Sequence, residues 1–337
     1  MAIILQGRQT WLFSNKPGIT AAATIGGPME AQGPLAASFD YLMPDNRWGQ
    51  TSFEKAEQKL QQKACEIALN KAQTQPQQIN ALLAGDLLNQ NTVSAITARN
   101  LAIPYLSIFA ACATSTEGLA LAAQLVAGGA AQKVLTVTSS HNSTAERQFR
   151  YPNEYGAQKP PYSQYTATAA GAAIIEPTGG KVGITAATIG VVKDLKVTDP
   201  FQLGAAMAPA FADTVVKHLK ERAVSADYYD LIISGDLGSI GREIAWELLL
   251  RQGINYDKAR FLDCGCLLYG SEQPVFAGGS GCGCSAAVLY GHLLRGLEEG
   301  RWQRILVAAT GALLSPVSNQ QKESIPGVSH AVALEVL

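Results

Sequence analysis

The tripeptide Gly-Asp-Leu closes a run of apolar residues twice in this chain, and what flanks it is repeated as well. Residues 51–72 place Phe53, Ala56, Leu60, Ala64, Ile67 and Ala68 at helical spacing, with Thr51 and Glu54 reading as a capping box. Beyond Pro76, residues 79–84 form a short apolar strand that ends in Gly85-Asp86-Leu87. Residues 210–223 again predict a helix, and residues 229–234 a strand that ends in Gly235-Asp236-Leu237.

The parallel continues downstream. Each tripeptide is followed by a helical pattern (91–101; 241–253), then by a turn of small residues, Ala110-Ala111-Cys112-Ala113 in one place and Ser280-Gly281-Cys282-Gly283-Cys284 in the other. A small-residue helix and a further buried strand (133–138; 304–309) complete each copy, and an ungapped shift of 171 lays residue 283 on residue 112. A duplicated strand, helix, strand unit with buried strands predicts mostly parallel central sheets covered by helices, as two α/β halves, 1–180 and 181–337. Residues 142–165 fit neither copy. With Arg147, Arg150, Pro152, Gly156, Pro160, Pro161 and four tyrosines, they predict an inserted loop over one face, where such loops shape sites.

Composition narrows the partners. Of 337 residues, 47% are apolar, enough for a large core, and the formal net charge of −1 comes from well-mixed acids and bases, so no nucleic-acid stripe is present. Residues 1–10 read as a strand-like run carrying Arg8 rather than a signal peptide, and the six cysteines are therefore expected in a reducing compartment. The most apolar stretch, 106–131, is broken by Thr114, Ser115, Thr116, Glu117 and Gln124, so any membrane attachment is expected to be peripheral.

Cys112 lies between a buried strand (106–109) and a helix start, where free N–H groups and the helix dipole favour an anion or a thiolate. A lone cysteine there is as readily a packed core residue; the strand-to-helix position and the duplication favour a site. Cys264-Gly265-Cys266 and Cys282-Gly283-Cys284 have a spacing foreign to structural zinc and no nearby histidine, so no metal or other cofactor is assigned. His141 follows the strand after the Cys112 helix and is a candidate for the same cavity, with an exposed loop histidine as the alternative. His218, His292 and His330 read as structural.

The segments Ser107-Ile108-Phe109-Ala110-Ala111-Cys112-Ala113-Thr114, Ala170-Gly171-Ala172-Ala173 and Ser285-Ala286-Ala287 resemble the thiolase and β-ketoacyl synthase superfamily over nearly the whole chain. That resemblance implies a duplicated five-layer α/β/α/β/α fold with a nucleophilic cysteine at Cys112. It also implies second-half partners, a histidine and an asparagine, whose places fall on Gly235 and Gly283. Neither glycine can donate or accept a proton, and loss of one positioned donor costs roughly 10²- to 10³-fold in rate.

Within the superfamily, Gln6-Gly7-Arg8-Gln9-Thr10-Trp11, Gly26-Gly27-Pro28-Met29-Glu30, Phe39-Asp40, Gly85-Asp86-Leu87-Leu88-Asn89-Gln90 and the stretch from Ser139 to Gly156 look like the stage V sporulation protein AD family. This resemblance implies a non-catalytic cleft that binds dipicolinic acid (pyridine-2,6-dicarboxylate), alone or with calcium, for uptake into the developing spore. It further implies a soluble protein held peripherally at the spore inner membrane by other stage V sporulation A membrane proteins, and a homodimer joined through residues 106–109. The expected ligand-binding set is Asp86, Cys112, His141, Arg147, Arg150, Gly235, Asp236 and Gly283. The competing expectations are a Cys112-dependent acyltransferase that takes its base from Asp86, Asp236 or His141, and a scaffold with an empty cleft.

Overall fold

The computed structural model describes residues 3–149 and 159–337. A hairpin, β1 (Ile3–Gln6) and β2 (Thr10–Phe13), precedes β3 (Gly18–Gly26) and the short β4 (Tyr41–Leu42). Then follow α1 (Phe53–Lys71), β5 (Ala81–Gly85), α2 (Thr92–Leu101), β6 (Tyr105–Ser107), α3 (Thr114–Ala127), β7 (Val134–Ser140), α4 (Asn142–Phe149), β8 (Tyr165–Thr166) and β9 (Ala169–Glu176). The second series is β10 (Val182–Ile189), α5 (Leu203–Arg222), β11 (Leu231–Ser234), α6 (Gly238–Arg251), β12 (Phe261–Asp263), α7 (Cys264–Leu268), β13 (Gly279–Ser280) and α8 (Cys282–Ala287). The last runs through a π-helical turn, Val288–Leu293, into α9 (Leu294–Glu298), and β14 (Arg304–Ala312), α10 (Pro316–Gln320) and β15 (Gly327–Val336) complete the chain.

The repeat is visible in strand order. One sheet runs β3-β9-β7-β5-β6 and the other β10-β15-β14-β11-β12, and the two meet where Val182 and Gly183 pair with Ile19 and Gly18. Even an irregularity is duplicated: the register slips at Ile19/Ala21 between β3 and β9, and at Ile184/Ala186 between β10 and β15. Only three neighbouring strands of each sheet pair in parallel, however, because β9 and β15 run antiparallel to both their neighbours; β3 and β10 beyond them point the same way as the parallel set. The expectation of mostly parallel sheets is corrected to mixed ones: the helical crossovers that enforce parallel pairing join only β5, β6 and β7, and their counterparts β11, β12 and β14.

The helices make five layers with these sheets. α1 and α2 cover the outer face of the first sheet, α5 and α6 that of the second, and α3 with α8 and α9 lies between them. Leu60, Leu82, Leu135 and Ile174 fill the first outer interface, and Phe211, Val215, Ile232 and Leu306 the second. Leu119, Ala123 and Val126 meet Leu289, Leu293 and Val307 in the middle. β9, Ala-Ala-Gly-Ala-Ala-Ile-Ile-Glu, is buried at every position but the last, as a strand covered on both faces must be.

Two local readings are corrected. α1 is capped by Ser52, whose Oγ accepts from the Lys55 backbone N–H at 3.3 Å; Thr51, one residue earlier, instead accepts from Lys55 Nζ. The segment expected to be one loop opens as helix α4, with Thr144, Ala145 and Glu146 buried. β6 forms the outer edge of the first sheet and leaves Leu106 half exposed.

A buried polar relay fastens the hairpin to the second half. Thr10 Oγ1 meets Thr188 Oγ1 at 2.9 Å, Thr188 meets His218 Nδ1 at 2.7 Å, and His218 Nε2 meets the Tyr229 hydroxyl at 2.6 Å. Burial drives the His218 pKa down to about 3, so the ring is a neutral connector. His218→Ala removes one buried partner from each hydroxyl and opens a cavity. A loss of about 2–3 kcal/mol in urea unfolding is expected, and a loss near zero would show that the relay does not hold the hairpin.

Candidate functional site

The chain leaves β6 and turns into α3 through Ala111, whose φ of +50° lies in the left-handed region that an alanine rarely occupies. Thr114 staples that turn, accepting from the Ala110 N–H at 3.0 Å and donating to the Ala111 carbonyl at 2.6 Å. Cys112 is thereby presented at the start of α3. From the second half, β13 pairs with β8 and brings Ser280 to the same point, 3.9 Å from the Cys112 sulfur.

Asp236 organises what lies behind. One carboxylate oxygen accepts from Ser280 Oγ (3.1 Å) and the Gly281 N–H (2.9 Å), and the other from Thr310 Oγ1 (2.9 Å). It therefore joins the end of β11, the start of α8 and β14. Burial raises its pKa to about 6 despite these donors. The Cys112 thiol is pushed well above its ordinary value by burial, and further by the Asp236 carboxyl and Cys282. A thiol facing an acid stays protonated, the reverse of what a nucleophile needs.

Cys112, Ser280, Leu87, Ala145, Phe149, Thr166 and Leu314 are among the residues lining an apolar cavity of about 40 Å³. It adjoins a wider vestibule of about 330 Å³ that shares Leu87, Phe109, Phe149 and Leu314 and adds Asn89, Gln90, Asn91, Ser107 and Ser315. The inner space admits about one to a few waters, so a ring-sized ligand requires Phe149 or α4 to move.

Of the expected site residues, the structure brings together Cys112 and Asp236. The others stand elsewhere. Gly283 lies inside α8, where a Cβ would come within 2.2 Å of the Ala169 carbonyl and 2.7 Å of Ser140 Oγ. Gly235 faces β14, where a Cβ would come within 2.8 Å of Ala309 Cα. Both are glycines because backbone or side chain passes too close, and neither fronts the cavity. The offset has a simple origin: α3 begins at residue 114 and α8 at residue 282, a shift of 168 that sets Ser280, not Gly283, opposite Cys112. Ser280 was missed because the run of glycines and cysteines around it gives no register.

Asp86 follows β5 as Asp236 follows β11, yet it serves its own half. It accepts from Leu88 N (2.9 Å) and from the Ser94 N–H and Oγ (2.8 and 2.7 Å), fixing the start of α2. His141 donates through Nε2 to the Asn46 carbonyl (2.7 Å), accepts at Nδ1 from the Ser143 N–H (3.2 Å) and packs on Phe53, so both nitrogens are engaged outside the cavity and burial keeps it neutral. Arg147 pairs with Glu54 of α1. Arg150 lies outside the described residues. Among the described residues no cluster of histidine, cysteine or acidic side chains is arranged to hold a metal ion, and all six cysteines are free thiols.

Solved structures that share this fold include condensing enzymes. A 3-oxoacyl-[acyl-carrier-protein] synthase III from Aquifex aeolicus matches 95% of this chain and 99% of its own with a TM-score of 0.60 at 15% identity. Cerulenin-bound OleA of Xanthomonas campestris matches 96% and 99% with a TM-score of 0.59 at 15% identity. The fold is therefore that of the thiolase-like condensing enzymes. Within it, the family model for Stage V sporulation protein AD (SpoVAD) matches residues 7–335, and the Stage V sporulation protein AD of Bacillus subtilis (strain 168) is 49% identical over 331 residues, 98% of each chain. The chain belongs to the stage V sporulation protein AD family.

Behind the cavity wall, Glu57 of α1 accepts from Ser139 Oγ (3.1 Å) and Thr144 Oγ1 (2.7 Å), and burial together with the Asp86 carboxyl raises its pKa to about 8. The folded state thus holds a proton that the unfolded chain releases near pH 4.5, and this stability is lost as pH rises through 8. Above about pH 7.5 the histidines, which titrate near 6.5 in the unfolded chain and are held neutral in the folded one, add little opposing slope. Between about pH 7.5 and 8 this group is expected to lower the unfolding free energy by up to about 1 kcal/mol per pH unit, and Glu57→Gln to reduce that slope. An unchanged slope in the variant would assign the proton to another group.

Proposed function

We propose that this protein is a non-catalytic binding component of sporulation that takes dipicolinate, or its calcium chelate, into the cleft at Cys112. The observation that carries the non-catalytic part is the environment of the thiol: a buried carboxyl and a hydroxyl face it, and each described histidine ring is engaged elsewhere or lies outside the lining. The neighbouring carboxylate disfavours a thiolate and no described imidazole stands in the lining to take the proton, so Cys112 is a poor attacking group. Sporulation enters through the name of the B. subtilis relative, and the ligand through the family resemblance.

A flat dicarboxylate suits a slot walled by Phe149 and Leu314 with amides at its mouth, Asn89 and Gln90. Arg150, one residue beyond Phe149, is the candidate cation, since Arg147 is held by Glu54. Membrane placement is proposed to be peripheral, through membrane subunits of the same assembly, because no helix among the described residues is long and apolar enough to cross a bilayer. The exposed edge of β6, with Leu106 and Phe109 about half exposed, is the proposed seam of a homodimer.

Calorimetry with dipicolinate, with and without calcium, tests the ligand. Cys112→Trp, which fills the slot, and Arg150→Ala are each expected to weaken binding about tenfold or more, while Arg147→Ala leaves it unchanged. Wild-type affinity in both of the first two variants would move the ligand to another surface.

The acyltransferase alternative is tested separately by mass spectrometry after incubation with acetyl-CoA or malonyl-CoA. No acyl adduct is expected on Cys112. A stoichiometric adduct that is lost in Cys112→Ala would establish catalysis instead.

A further inference from the structure

On the face of the first half away from the cleft, an open groove of about 760 Å³ lies between the segment 41–50 and the outer side of α1. Lys55, Lys59 and Lys63 line it at successive helical turns, so all three ammonium groups share one face. Against them stands one lining carboxylate, Glu66, which is already taken by Lys63 (3.2 Å) and by Gln62 (2.9 Å). Among the described residues, Lys55 and Lys59 donate only to neutral oxygens, Thr51 Oγ1 and the Trp48 carbonyl, each at 3.1 Å.

Lys59 is not a freely waving surface lysine. Its ammonium sits 4.6 Å from the centre of the Trp48 ring while bonded to that residue's carbonyl, and the Trp48 ring stacks on Tyr41 at 5.0 Å. Trp48 holds this position with a φ of +47°, a conformation unfavourable for so bulky a residue. The strained turn thus fixes a cation in a concavity without giving it a counter-charge. Around it, Gln50, Gln58 and Asn100 offer amide donors and acceptors.

We propose that this groove docks an acidic, extended segment of a partner protein. Uncompensated ammonium groups select carboxylates, and the amides match the peptide groups of an extended chain. Trp48 is buried beneath Lys59 and Tyr41, so its ring is not an open platform for a planar ligand. The cations line a concavity rather than a protruding face, the arrangement that suits a chain laid into the groove rather than a lipid surface.

The test uses the full-length protein and a fluorescein-labelled polyglutamate peptide at low salt, read by anisotropy. Saturable binding is expected, weakened about tenfold or more in Lys55→Glu/Lys59→Glu and unchanged in Lys217→Glu/Lys220→Glu, where two exposed lysines of α5 are reversed. Lys55→Gln/Lys59→Gln, with its melting temperature measured alongside, keeps the test valid if charge reversal unfolds the protein. Absence of binding to the wild type, equal weakening by both reversed pairs, or binding to phosphatidylglycerol vesicles but not to the peptide would each overturn the proposal.

Discussion

Everything in this fold depends on how closely two sheets approach a shared middle layer of helices. α8 is built from alanine, glycine, serine and cysteine, and α3 buries Ser115, Gly118, Ala120, Ala122 and Ala123, because each must touch a sheet and the other helix at once. Ser115 and Ser285 meet across that layer at 2.7 Å, side chain to side chain, and Ser285 reaches the Cys112 carbonyl at 3.4 Å. Such packing tolerates almost no added volume. It also places the starts of two helices and the ends of strands from both halves around one point, which is where the cavity forms.

The two Gly-Asp-Leu sequences show how a duplicated frame is put to different uses. Asp86 turns toward its own helix and satisfies its backbone, whereas Asp236 turns inward and binds three segments around the thiol. The second half is therefore not stripped of polar groups at the centre, as the glycines at 235 and 283 suggest when read from the sequence. Its polar groups are a carboxyl and hydroxyls, and burial together with the carboxyl's charge raises the thiol pKa, where a neighbouring cation would lower it.

Much of the fold was legible because buried strands and small-residue helices recur at nearly constant separation, and that periodicity survives in the residue pattern. The site was legible only in part. Cys112 and Asp236 could be found because each ends a recognisable element. His141 and Asp86 were misplaced because sequence position fixes where a residue stands but not where its side chain points: His141 is drawn to the Asn46 carbonyl, and Asp86 to the start of α2. Ser280 was hidden by a three-residue slip among near-identical small residues, and it is fixed in space by pairing between β13 and β8, strands of two residues each. Phe149 escaped notice because α4 lies in a segment rich in loop-forming residues.

The hairpin at residues 3–13 has a consequence for how the molecule is assembled. β2 pairs with β10 of the second sheet, Thr10 opposite Thr188, and not with the sheet of the half it precedes. The backbone N–H groups of Arg8 and Gln9 are bound by Glu221 of α5. During synthesis the hairpin can pair only with itself, and the other edge of β2 stays open until β10 and α5 have been made. The two halves are alike in topology but not autonomous as folding units: the later one borrows its edge from the earliest residues. Closure over so long a loop makes this pairing a late step of folding.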